Sequence, residues 1–317
     1  MKLVQRPYQA EADYWAIRDF LRDVFLLNGR RQFSWTTARL DYWRWHVAAN
    51  CGGTSVDEAT YLWETEDGRI VAVLNPEDPG HAYLQVDPRF RTAELEEEML
   101  TLAEERLTAA GSSTGRPVLV LSLREGDTLR EKILVERGYE PRPESQGYDR
   151  YRDLTLPIPE VPTPDGYTIR PMTLGDIPSR CWASWRAFHP DDPEERFGGN
   201  DWYANLLKAP MYRRDLDLVA ADQSGAVVAF TTVWYDDVTR SGYFEPVGTM
   251  PEHQRKGLCT ALLHEGLRRL VERGAVHGCV GGGGASNPPA EGVYSRVSNC
   301  EPDSYIAWVK YLDGKPA

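Results

Sequence analysis

The sequence predicts an α/β (α+β) fold built twice: two tandem domains, each a mixed sheet flanked by helices. Three observations predict it. First, VDPRFRTAELEEEMLTLAEERLTAAG, from Val86, aligns without a gap on TMPEHQRKGLCTALLHEGLRRLVERG, from Thr249, so that Pro88 falls on Pro251, Leu100 on Leu263 and Gly111 on Gly274. Second, Arg6-Pro7 near the N-terminus is echoed by Arg170-Pro171. Third, each half runs through the same coarse order of strands and helices. A repeat this long is a whole domain, not a solenoid unit, and 317 residues suffice for two.

The elements follow in order. In the first half, FSWTTARLDYWRWHV (33–47) has a helical look, and its aromatic display places it near an inter-domain contact. ATYLWETEDGRIVAVLN gives two strands around a turn, HAYLQVDP another strand, Ala93 starts a helix, and PVLVLSL is a further strand. LTLPIPEVPTPDG, 154–166, is proline-rich and reads as a linker, giving domains at 1–153 and 166–317 with the linker at 154–165. The second half opens on the strand YTIRP and helical segments bearing Trp182, Trp185, Trp202 and Tyr203. LDLVAADQSGAVVAFTTVWY is two strands around Gln-Ser-Gly, and GYFEPVGTM a third. Leu258, Leu262, Leu263, Leu267 and Leu270 recur at helical spacing before Gly274, and AVHGCV, a helix and a strand finish the chain.

Composition narrows the function classes. The formal net charge of −12 gives no general footprint for nucleic acid or an anionic membrane and favours amines. The first residues carry charges where a signal peptide needs an apolar core, and no run approaches the roughly 18 apolar residues of a membrane span. Five cysteines without C-x-x-C pairing argue against a disulfide framework and a metal site, so a cytoplasmic home without metal is expected.

The stretch MPEHQRKGLCTALL concentrates Gln254, Arg255 and Lys256 before Gly257 and a helix start. Backbone N–H groups at a helix start lack internal partners and sit at the positive end of the helix dipole. Gly257 lets the backbone approach an anion, and the two basic residues add charge. The competing reading is an ordinary loop with a solvated basic edge.

The second half resembles the GNAT acyltransferase superfamily. Gln254-Arg255-Lys256-Gly257-Leu258-Cys259 is similar to that family's Gln/Arg-x-x-Gly-x-Gly/Ala acyl-CoA loop, except at Cys259. Asn287-Pro288-Pro289-Ala290-Glu291-Gly292-Val293-Tyr294 is similar to its Asn-x-x-Ala-x-x-x-Tyr motif. Ser298-Asn299 depart from the usual Gly-Phe, and Gly281 to Gly284 suggest a mobile entrance to the pantetheine channel. The resemblance covers roughly 166–312 and, more weakly, 1–153.

It implies two mostly antiparallel GNAT-like sheets, with acetyl-CoA or another acyl-CoA as co-substrate and a small-molecule amine as acceptor. The implied cofactor contacts are Val247, Gly248 and Thr249, the loop Gln254 to Cys259 with Leu258, then Thr260 and Asn287. Glu245 is the candidate general base and Tyr294 the candidate acid for the leaving thiolate. Asp236 and Asp237 are candidates to hold the acceptor ammonium, with Trp182 and Trp234 lining its pocket. In the first half Glu94 stands where Gly257 does, a carboxylate at the pyrophosphate position, so this copy is expected to have lost its cofactor. Two rivals remain: an aminoacyl-tRNA-dependent acyltransferase, which needs a basic surface, and a non-catalytic acyl-CoA sensor.

Overall fold

The computed structural model describes residues 2–111, 114–285 and 287–314. The first half comprises β1 (Val4–Pro7), α1 (Glu11–Leu27), α2 (Thr37–Tyr42), α3 (Ala48–Asn50), α4 (Val56–Ala59), β2 (Tyr61–Glu64), β3 (Ile70–Asn75), β4 (His81–Val86), α5 (Ala93–Arg106), β5 (Ala109–Ala110), β6 (Pro117–Arg124), α6 (Thr128–Glu136) and β7 (Glu140–Asp153). The second comprises β8 (Thr168–Pro171), α7 (Ile177–Phe188), α8 (Tyr203–Leu206), β9 (Asp217–Ala221), β10 (Val227–Asp236), β11 (Ser241–Thr249), α9 (Leu258–Glu272), β12 (His277–Gly284), α10 (Pro288–Val297) and β13 (Asp303–Tyr311). The chain forms two units. One takes Met1–Tyr148, Gly284–Ser286 and Asp303–Ala317, the other Asp149–Gly283 and Asn287–Pro302.

In the first unit the strands run β1-β2-β3-β4-β6-β13. β4 and β6 are parallel, meeting at His81↔Val120 and Ala82↔Leu121, while β1–β2, β2–β3, β3–β4 and β6–β13 are antiparallel. One face buries Leu95, Met99 and Leu100 of α5 with Ile133 and Leu134 of α6. The other buries Tyr14, Ile17, Leu21 and Val24 of α1 with Trp35, Leu40 and Trp43. The segment 33–47 therefore spends Trp35 and Trp43 inside its own unit. α2 continues into a π-helical turn, Trp43–Val47, in which Trp43 is buried.

The last strand departs from the expected boundary. β13 pairs antiparallel with β6 from Tyr305↔Arg124 to Tyr311↔Val118, and Trp308 enters the first core. Residues 303–314 thus belong with the first unit, because β6 offers a long apolar edge (Val118, Leu119, Leu121, Leu123) that this strand covers. Part of the expected linker is also core: Leu154 is buried and Ile158 packs beside it in the second unit.

In the second unit the order is β12-β11-β10-β9-β8, again with one parallel pair, β11 and β12. α9 lays Leu258, Leu262, Leu263, Leu267 and Leu270 on one sheet face. Gly266 lets that helix close on the sheet: a Cβ there would lie 2.5 Å from Phe244 Cε1 and 3.0 Å from Val233 Cγ2. The glycines expected as a mobile entrance are instead β12 strand positions. A Cβ on Gly283 would meet Glu291 Oε2 at 2.6 Å and Tyr294 Cδ2 at 3.2 Å, so close packing of α10 is what calls for glycine there.

Candidate functional site

After β11 the chain makes a single 3-10 turn, Pro251–His253, and then the loop Gln254–Gly257. Arg255 (φ 62) and Gly257 (φ 84) both take the left-handed region. A Cβ on Gly257 would touch only Pro164 Cγ, at 3.8 Å, so it is the backbone angle and not crowding that favours glycine. Gly257 caps α9 without a side chain, and its carbonyl accepts from Ala261 N–H at 3.0 Å, which opens the helical ladder. The N–H groups of Leu258, Cys259 and Thr260 thus have no acceptor within the helix. Turns of this kind curl N–H groups into an anion-sized concavity, and the dipole of the 15-residue helix adds to it. Around the loop, Gln254 Nε2 donates to Thr249 O (3.2 Å), and Lys256 Nζ to the Tyr167 hydroxyl (3.1 Å), which also meets His253 Nδ1 (2.9 Å).

The corresponding loop of the first unit is closed by its own side chains. Thr92 caps α5, its Oγ1 accepting from Leu95 N–H at 3.2 Å. Glu94's own backbone N–H, and next the Thr92 side chain, hold the Glu94 carboxyl below its ordinary value. Arg91 is bound to Asp127 (2.8 Å) and Glu96 (2.6 Å), and Arg89 to Asp87 (2.6 Å). The helix start that is open at α9 carries an internal carboxylate at α5.

Beside the open loop, the sheet splits. β11 and β12 pair only from Ser241↔His277 to Tyr243↔Cys279, while β11 runs on to Thr249. Its pairing with β10 shifts between Val233↔Phe244 and Thr231↔Val247, leaving Glu245 and Pro246 as a bulge around a cis peptide. Proline cannot donate to a ladder, so it fits there and nowhere regular in the strand. Beyond Tyr243, alternate N–H groups of β11, among Val247, Gly248 and Thr249, face the gap.

Tyr294 lies in the second turn of α10, 7 % exposed. Burial pushes its hydroxyl well above the ordinary value, with Cys259 and then Glu245 adding to the rise. Glu245 of β11 and Cys259 of α9 thus both act on the charge of the Tyr294 hydroxyl. Burial likewise pushes the Cys259 thiol up to about 12, which suits a packing thiol and not a nucleophile.

Other expected site residues fall elsewhere. Asn287 caps α10, its side chain accepting from Ala290 N–H at 3.4 Å. Asp236 is buried at the β10–β11 hairpin, accepting from Val238 N–H (3.2 Å) and Thr239 Oγ1 (3.1 Å), and Asp237 is exposed in the same turn. Asp236 pairs with Ser241, four residues from Glu245 along the strand, so the structure does not bring either aspartate to the split. Trp234 is fully buried, and its indole N–H donates to Glu245 O at 2.5 Å, so it fixes the bulge instead of lining an open pocket. Trp182 does sit half-buried in an aromatic group, 5.3 Å from both Trp185 and Phe197. Sequence reasoning missed Tyr243 and Asp149, which flank Gly281. Pro246 inside a strand was the available signal for a bulge. Among the described residues no cluster of three metal-ligating side chains occurs.

Residues 176–298 match the model of the acetyltransferase (GNAT) family. Comparison with curated protein sequences finds no match. Among solved structures, the chain is similar to a GCN5-related N-acetyltransferase from Sphaerobacter thermophilus (20 % identity, TM-score 0.66, 98 % of this chain and 95 % of that one). It is also similar to a tandem GNAT protein from the clavulanic acid biosynthesis pathway, solved without AcCoA (16 %, 0.65, 99 % and 100 %). A GNAT-family acetyltransferase from Colwellia psychrerythraea gives 11 % and 0.61 over 98 % and 100 %. At such identities the likeness establishes the fold, and it does so along the whole chain.

Proposed function

With residues 176–298 forming a domain of the acetyltransferase (GNAT) family, we propose that the second unit transfers an acyl group, acetyl in the simplest case, from acyl-CoA to the nitrogen of a small amine. The observation that carries this reading is the open start of α9, capped by left-handed Gly257, beside a split between β11 and β12. The N–H groups of Leu258, Cys259 and Thr260, with Arg255 alongside, would hold the pyrophosphate. Acyl-CoA supplies the activated thioester carbonyl.

This chain's own residues then do three things. Glu245 removes a proton from the acceptor ammonium, leaving a nucleophilic amine. N–H groups of β11 facing the gap polarise the carbonyl. Once the C–N bond has formed, Tyr294, kept protonated at neutral pH by its raised value, gives its proton to the thiolate as the C–S bond breaks; the proton shed by the acylated nitrogen returns through solvent to Tyr294, and Glu245 releases its proton to solvent. Trp234 holds the backbone of Glu245 in place through its carbonyl.

The first unit, in this reading, binds no acyl-CoA, because Thr92 and Glu94 occupy its helix start. Among the described residues no helix is long and apolar enough to cross a membrane.

The test is release of free CoA thiol from acetyl-CoA with a panel of primary amines. Amine-dependent release that Glu245→Gln lowers by about 10²–10⁴-fold supports the reading. Acetyl-CoA binding without turnover on any amine would leave a sensor and overturn it.

A further inference from the structure

Gly248 stands in the stretch of β11 beside the split, and its backbone angle does not explain the glycine, since its φ lies outside the left-handed region. A ring explains it. Phe230, its cross-strand partner on β10, is fully buried. A Cβ on Gly248 would lie 3.0 Å from Phe230 Cε2, 2.8 Å from Cε1 and closer still to Cζ. Carbon atoms in good contact stand roughly 3.5–4.0 Å apart, so ring and backbone meet with no room for a methyl group. The ring is anchored in turn. The Arg180 guanidinium of α7 lies 3.6 Å from its centre, and Arg180 is itself wholly buried. Asp217 answers that charge, with Oδ1 3.8 Å from Arg180 Nε, and accepts from the hydroxyls of Tyr203, Tyr212 (2.9 Å) and Thr232 (3.3 Å). A cation over a ring face away from water is a strong anchor, so Phe230 cannot swing aside freely.

The register shows which N–H groups this contact sets. Met250 N–H donates to Val228 O at 3.0 Å, and Phe230↔Gly248 is the pair two residues along the same register. N–H directions alternate along an antiparallel strand. Gly248 N–H therefore also points at β10, while those of Val247 and Thr249, on either side of it, point away from β10. On that side β12 pairs no further than Tyr243↔Cys279, so the two groups face the split. We propose that Phe230, anchored by Arg180, is a positioning residue for acyl transfer: its packing on Gly248 aims the Val247 and Thr249 N–H groups at the thioester carbonyl. The proposal rests on the acyl-CoA reading given above and adds the side chain through which α7 acts on the reacting group. Donors aimed at developing charge lose their effect when displaced, and a misplacement of about 1 Å can cost about 10²-fold in rate.

The experiment reads the carbonyl itself: the infrared C=O stretch of acetyl-CoA, isotopically labelled at the thioester carbon and bound without amine. Turnover on the amine panel and calorimetry of CoA accompany it. Wild type should lower the stretch relative to free acetyl-CoA. Gly248→Ala, whose methyl forces ring and strand apart, should lose most of that shift and about 10- to 100-fold of kcat. Its affinity for CoA should stay near wild type, because the loop from Gln254 is untouched. Phe230→Leu added to Gly248→Ala makes room for the methyl and should restore both the shift and kcat. Phe230→Leu alone should lose part of each, and it decides the matter if Gly248→Ala does not fold. The proposal is overturned by wild type that binds acetyl-CoA with an unshifted carbonyl, or by a folded Gly248→Ala or Phe230→Leu that keeps full shift and kcat. A double variant that regains thermal stability but neither shift nor kcat would overturn it too. A shift that depends on Phe230 in a protein that acylates no amine would uphold the positioning and remove the acyltransferase reading instead, and wild type that binds no acetyl-CoA would remove both.

Discussion

Glu245 owes its position to two neighbours, Pro246, which breaks the ladder after it, and Trp234, which binds its carbonyl, and it helps Tyr294 retain its proton. Glu245→Gln should cut turnover by about 10²–10⁴-fold and leave the KM for acetyl-CoA near wild type. Steady-state kinetics with both substrates varied checks this. Tyr294→Phe keeps the buried ring and loses the proton donor, so turnover should fall by about 10²-fold. The same variant has a pH signature. The folded hydroxyl titrates above its ordinary value of 10.0, so the folded state holds the proton more tightly than the unfolded chain. That contribution is present below pH 10 and lost as the pH rises beyond it. Thermal unfolding from pH 9 to 11 should therefore show a smaller alkaline loss in Tyr294→Phe than in wild type.

At the scale of elements, the repeated Arg-Pro pair has a structural cause that lies outside the pair itself. Arg170 binds Asp176 through two bonds (2.7 and 2.8 Å), and Asp176 also accepts from Thr173 N–H (2.8 Å). Arg6 binds Asp13 in the same way (2.9 and 2.7 Å), and Asp13 accepts from Gln9 N–H (2.7 Å). In each copy the first strand is tied to the start of the first helix. Arg170, then the Thr173 contacts, hold the Asp176 carboxyl well below its ordinary 3.8. Its stabilisation is complete above that value and is lost as the pH falls through the folded one. Asp176→Asn should cost about 1–3 kcal/mol at neutral pH and flatten the acid limb, measured by denaturant unfolding from pH 2 to 7. The repeat was legible because both copies keep the residue pair, but its reason was not, since the partner aspartate follows at a different distance in each. α9 and β10 were legible from their apolar spacing. Gly257 announced the loop, since a glycine before an apolar helical run is a sequence signal. Trp234 and Asp236 were misplaced because alternation along a strand does not say which face is open, nor that a carboxylate will be spent on its own hairpin turn.

For the molecule as a whole, the tail strand is the feature least visible in the sequence. Its apolar alternation reads as a strand, but nothing local names β6 as the partner. Trp308, 5 % exposed in the first core, makes the assignment testable: Trp308→Ala should cost about 3–5 kcal/mol. A fragment of residues 1–153, which lacks β13, should fail to give the cooperative unfolding of a native domain in calorimetric melting. The two copies of the strand-loop-helix unit differ where it matters most, in whether the helix start is left open to an anion or closed by Thr92 and Glu94. Calorimetric titration of the full chain with acetyl-CoA puts that difference to the test. The account predicts one acetyl-CoA per chain, with binding abolished in a folded Gly257→Glu and retained in Glu94→Gly. Two acetyl-CoA per chain, or unchanged affinity in Gly257→Glu, would contradict it.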